Sequence, residues 1–131
     1  MSGRRVAITG IGAITPIGSG ATGLFQGIRR GECAIGPVTR FDASPFRSRM
    51  AAEVSDFDPC DYVTARRARR LDRFSAFALA AALQAVEDSC LGGRFPPGNS
   101  SGVFIGSALG GVAYAEEQHA RFDSDGARGV D

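Results

Sequence analysis

"RVAITGIGAITPIG", residues 5–18, decides the fold. Val6 to Thr9 is a β-rich apolar run that stops at Gly10 and Gly12, and Pro16 with Gly18 marks a loop. The next stretch, "ATGLFQGIRRGE" (21–32), reads as a short helix with Leu24, Phe25 and Ile28 on its apolar side. A strand that stops at glycines and hands over to a helix is how α/β chains begin.

The rest of the chain repeats that alternation. "FDASPFRSRMAAEV" (41–54) is turn-rich up to a short strand at Met50–Val54, and residues 56–65 form a loop with a helical turn after Pro59. A long helix is expected from Arg69 to Leu91, ended by Gly92-Gly93 and Pro96-Pro97. Leu71, Phe74, Ala78, Ala81 and Ala85 make one stripe at spacings of three and four, with alanines on the flanks. So small-sided a helix is expected to be buried over most of its length. "SGVFIGS" (101–107) reads as a second buried strand and "GGVAYAEEQHARF" (110–122) as a second helix. The tail, "DSDGARGVD", is polar and glycine-rich and has no closing element.

Composition narrows the function. Fifteen arginines, with no lysine, oppose fourteen acids, for a net charge of +1 and a pI near 7.8. A general nucleic-acid binder carries a basic domain with a pI above roughly 9. The positive charge here is local: "RRARRLDRF" (66–74) holds five arginines, which suggests a patch with a particular partner or a solvated helix face. The N-terminus runs straight into the first strand with no secretory signal. The longest apolar stretch, Phe74 to Val86, falls short of the ~20 residues of a membrane span. A cytoplasmic address without membrane contact is the default. Cys33, Cys60 and Cys90 are widely spaced and His119 is the single histidine, so neither a disulfide framework nor a zinc site is expected. The three cysteines are expected to pack as small hydrophobes, although a Cys–His nucleophile pair stays open at this level.

Two glycine loops carry candidate chemistry. In "TGIGAITPIG", Gly10 and Gly12 match the first half of a dinucleotide fingerprint. Thr15 and Pro16 stand where a small residue and a helix start are needed, so the match stays partial. A phosphate-binding P-loop needs a lysine, which the chain lacks. "GSALGG" (106–111) is a strand-to-helix turn. Its glycines serve tight geometry, or Ser107, Ala108 and Leu109 line a cavity at the sheet edge, where α/β proteins hold ligands.

Together and in order, "RRVAITGIGAITPIG", "FDASPFRSRMAAEV", "RRLDRFSAFALAAALQAVEDS" and "GVFIGSALGG" closely resemble the N-terminal part of β-ketoacyl-acyl-carrier-protein synthases. The resemblance runs from Arg4 to about Phe122. It implies an α/β fold, the N-terminal part of a thiolase-like α-β-α-β-α layered architecture, over a domain incomplete within residues 1–131. The activity implied is decarboxylative Claisen condensation of an acyl thioester with malonyl-acyl-carrier protein, in fatty-acid or polyketide biosynthesis. No metal or redox cofactor is implied. The family's nucleophilic cysteine and two histidines lie beyond the matched segment, so Cys33, Cys60, Cys90 and His119 inherit no catalytic role and the chain alone is expected to be inactive.

The resemblance also implies partners. Basic residues at the start of the family's long helix meet acyl carrier protein, and they fall here on Arg66, Arg69 and Arg70. In a continuous helix, 100° per residue places Arg66, Arg69, Arg70 and Arg73 in an arc of about 100°, with Arg67 on the side of Leu71 and Phe74. Leu109 falls where the family lines its acyl tunnel near the dimer interface, with Ser107 and Ala108 beside it. The assembly implied is a homodimer or a ketosynthase/chain-length-factor heterodimer. A chain-length-factor-like partner without the nucleophile, an inactive truncated subdomain and a nucleic-acid binder are the alternatives.

Overall fold

The computed structural model describes Gly3, residues 5–92 and residues 101–130. Gly93 and Pro96-Pro97, expected to close the long helix, lie outside the described residues. Helices alternate with small sheets, in keeping with an α/β chain. The chain divides into two compact units, residues 1–58 with 80–95 and residues 59–79 with 96–131.

In the first unit, β1 (Ile14–Thr15) and β2 (Gly18–Ser19) pair antiparallel about Pro16-Ile17, and Thr15 Oγ1 donates to the Gly18 carbonyl at 2.7 Å. Helix α1 (Gly20–Arg30) follows directly. Its buried residue is Gly27, where a Cβ would run into the Ile17 carbonyl, so the helix lies backbone-close to the hairpin. The expected apolar side is only partly used: Leu24 is half-buried, while Phe25 and Ile28 are exposed. A second ladder pairs β3 (Ile35–Pro37) with β4 (Met50–Ala52), also antiparallel, with Gly36 opposite Ala51. Strand β3 had no signal of its own, because three residues around a glycine show no period.

The two expected buried strands differ from the structure. Val6–Thr9 and 101–107 belong to no ladder among the described residues, and Val6, Ile8, Val103 and Phe104 are all more than four-fifths exposed. A strand is stable only through a neighbour's hydrogen bonds, and neither run pairs with a strand among the described residues. Beyond Thr9 the backbone is held by a helix instead. Ile11 N donates to Asp88 Oδ2 at 2.8 Å and Ala13 N to Gln84 Oε1 at 3.0 Å. Gln84 Nε2 then donates to Ser19 Oγ at 2.9 Å.

That helix is α3 (Arg73–Asp88), shorter at both ends than the expected Arg69–Leu91. At its start the Asp72 carboxylate accepts from Phe74 N. At its end Ser89 Oγ donates to the Val86 carbonyl and accepts from Leu91 N, so a side chain competes for backbone groups and Cys90 turns left-handed at φ 56°. Ala76 and Ala80 are buried, but Ala82, Leu83, Glu87 and Asp88 are exposed, so burial does not extend over most of the helix as expected.

In the second unit a 3-10 turn at Pro59–Asp61 confirms the expected turn after Pro59 and precedes α2 (Ala65–Ala68). Helix α4 (Val112–Asp125) runs three residues past its expected end, and a 3-10 turn carries on to Arg128. The tail is therefore capped by helical structure: Ser124 Oγ donates to the Arg121 carbonyl, and His119 pairs with Asp123.

Candidate carrier-docking surface

The arginine segment is divided between α2 and the start of α3, where the long helix was expected to begin at Arg69 and the arginine arc needs 66–74 to be one helix. The Thr64 carbonyl accepts from Arg67 N and Ala68 N, and turn hydrogen bonds continue to Leu71 N. There the path breaks. Asp72 starts α3 afresh: its carbonyl accepts from Ala76 N at 2.9 Å and its Oδ1 from Phe74 N, also at 2.9 Å. Aspartate is among the best residues for this capping role, and an Asp just ahead of an apolar period is the signal that could have moved the expected start from Arg69 to Asp72.

The break redistributes the guanidinium groups. Arg69 and Arg73 line a cavity of about 240 Å³ together with Leu71, Asp72, Tyr114, Glu117, Gln118 and Arg121. Arg67 and Arg70 line another, of about 320 Å³, floored by Leu71 and Leu79. The expected arc of Arg66, Arg69, Arg70 and Arg73 is thereby divided, and Arg67 shares the second cavity with Arg70. Arg73 lies over the Phe77 ring, 4.7 Å from its centroid. Arg66, Arg67, Arg69 and Arg70 are exposed and make no ion pair among the described residues. Four cations without internal partners, within five residues, form a surface that an acidic partner can neutralise.

Ser107, Ala108 and Leu109 sit in the turn before α4, all exposed, with Leu109 at 83%. The turn is closed by Gly110 N donating to Ser107 Oγ at 2.9 Å, and Gly110 takes φ 68°, where glycine is at ease. The three residues line neither of the arginine cavities.

The dinucleotide half-match has a packing explanation. A Cβ at Gly10 would collide with the Ala85 carbonyl and one at Gly12 with the Ala81 carbonyl, so both glycines serve backbone-close contact with α3. The cavity beside them is lined by Glu87 and Asp88, whose charges repel a pyrophosphate. The cysteines also depart from expectation. Cys33, Cys60 and Cys90 are all exposed, as each lies in a loop or turn and not on a core-facing position. His119 is occupied by Asp123 along the exposed face of α4, at 3.3 Å. No cluster of potential metal ligands occurs among the described residues, and no described helix is long and apolar enough to cross a membrane.

Comparison with known proteins assigns this framework. The family described as "Beta-ketoacyl synthase, N-terminal domain" matches residues 3–130. The 3-oxoacyl-(acyl-carrier-protein) synthase 2 of Synechocystis sp. is 43% identical over 115 residues, covering 88% of this chain and 28% of the relative. The enzyme of the same name from Coxiella burnetii is 38% identical over 130 residues, covering 99% of this chain and 31% of the relative. Among solved structures, the ishigamide ketosynthase/chain length factor superposes with a TM-score of 0.72 at 27% identity, over 98% of this chain and 32% of that one. The chain thus spans about a third of the length of the proteins it matches. The fold is that of the thiolase-like ketosynthase N-terminal domain. By the family match across almost its whole length, the chain belongs to the β-ketoacyl synthase family, within its N-terminal domain.

Proposed function

We propose that this chain is the carrier-docking and acyl-lining part of a β-ketoacyl-acyl-carrier-protein synthase. That acyltransferase joins an acyl thioester to malonyl-acyl-carrier protein with loss of carbon dioxide. The observation that carries the reading is the family match over residues 3–130. Arg66, Arg69 and Arg70 meet the acidic carrier, and the absence of ion pairs at these residues among the described ones supports that role. Ser107, Ala108 and Leu109 face the acyl chain in the assembled enzyme, a cytoplasmic homodimer or ketosynthase/chain-length-factor heterodimer. The chain supplies no nucleophile. An active cysteine needs a neighbouring base, cation or helix start to lower its pKa, and the one histidine lies on exposed α4 beside Asp123 with no hydrogen bond to a cysteine among the described residues.

Competition tests this reading. Added in excess to an assay of a complete 3-oxoacyl-(acyl-carrier-protein) synthase 2, the chain should slow condensation by sequestering carrier. Extra carrier should restore the rate, and the chain alone should release no carbon dioxide. Turnover by the chain alone, or an unchanged rate at saturating excess, contradicts it. The ketosynthase/chain-length-factor match favours a second reading, a non-catalytic chain-length-factor-like partner. That role predicts a stable heterodimer with a ketosynthase subunit on mixing, seen as a mass shift in light scattering.

A further inference from the structure

One carboxylate in the second unit holds two helix starts. Asp72 Oδ1 accepts from Phe74 N at 2.9 Å, while Oδ2 accepts from Tyr114 N at 2.8 Å, across 42 residues of sequence. Tyr114 is the third residue of α4, so its N–H is one of those a helix leaves unpaired. Gly111 permits the approach: a Cβ there would lie 3.2 Å from the Asp72 Cβ, tighter than side chains ordinarily sit. Arg69 and Arg70 stand just upstream of Asp72, separated from it by Leu71. Immediately before α4 stands the Ser107–Gly110 turn, closed by its own hydrogen bond.

We propose that Asp72 is a positioning residue that fixes the acyl-lining turn against the end of the carrier-docking segment and thereby sets acyl-chain discrimination. The inference rests on the docking and acyl-lining roles proposed above. Bonds from N–H groups to a carboxylate are charge-assisted and about twice as strong as neutral ones. Losing the bond to Tyr114 frees the first turn of α4 and the turn that leads into it, leaving the arginines in place.

The two oxygens can be separated by substitution. Asparagine caps a helix as well as aspartate does. Asp72→Asn therefore keeps the bond from Phe74 N and turns an NH₂ toward Tyr114 N–H, donor against donor, whereas Asp72→Ala removes both bonds. The whole chain is titrated with unloaded carrier and with carrier bearing a butyryl or a lauroyl group. Expected for Asp72→Asn is unloaded-carrier affinity within about twofold of wild type, a butyryl-to-lauroyl affinity ratio that moves toward one, and faster amide exchange at Tyr114 but not at Phe74. A purely structural role would lower the melting temperature and leave the ratio alone. Persistence of the wild-type ratio in Asp72→Asn overturns the inference. Carrier binding without acyl discrimination in the wild type refutes the acyl-lining role, and absence of carrier binding refutes the docking role; either result takes the inference with it.

Discussion

Gly12 shows how a single absent atom orders the first unit. A Cβ there would meet the Ala81 carbonyl, and backbone cannot step aside as a side-chain tip can. Gly12→Ala should therefore destabilise the chain by about 1–3 kcal/mol, the usual cost of overpacking, read as a lower melting temperature with unchanged helix content below it. Glu53 makes a different, pH-dependent contribution beside the second ladder. It accepts from Thr39 Oγ1 at 2.6 Å and from Thr39 N at 3.2 Å. The hydroxyl bond, ahead of the backbone bonds, holds its carboxyl below the usual range. A depressed folded pKa means this contact is complete above the unfolded value of about 4.3 and is lost as pH falls through the folded value. Amide protection at Thr39 should fall on acidification below that range, and the fall should vanish in Glu53→Gln. Neither contact was legible in sequence: Gly12 reads as a strand end or half of a partial fingerprint until Ala81 is seen against it, and Thr39 and Glu53 are fourteen residues apart.

At the scale of elements, existence was legible and limits were not. The alanine stripe announces α3, but Asp72 and Ser89 set its ends by taking backbone partners with their side chains. Asp72 could have been recognised as a cap. Ser89 could not, since a serine near a helix end has several local options. The runs at 6–9 and 101–107 have strand composition, yet pairing is a property of two segments, and one segment's pattern cannot supply the other. Within α3, Ala80 has no exposed surface. Ala80→Leu should cost about 1–3 kcal/mol and broaden the unfolding transition, whereas Ala82→Leu, on the exposed flank, should be nearly neutral. Equal effects at both positions would contradict the burial of Ala80 beside the exposure of Ala82.

At the scale of the whole molecule, the family was legible because four motifs stand in order across the chain, and the match over residues 3–130 agrees. The partition of the arginines was hidden, because it depends on the break at Asp72: Arg69 joins Arg73 at one cavity and Arg67 joins Arg70 at another. On the docking role proposed above, this surface receives an acidic carrier by arrangement of charge and not by charge alone. Calorimetric titration of the chain with acyl carrier protein, for wild type and Arg69→Glu, tests it most directly. Saturable binding in the wild type, weakened about tenfold or more by Arg69→Glu as favourable pairs of about 1 kcal/mol become repulsive, is the predicted result. Binding that Arg69→Glu leaves unchanged, or duplex DNA bound as tightly as the carrier at the same salt, would contradict it.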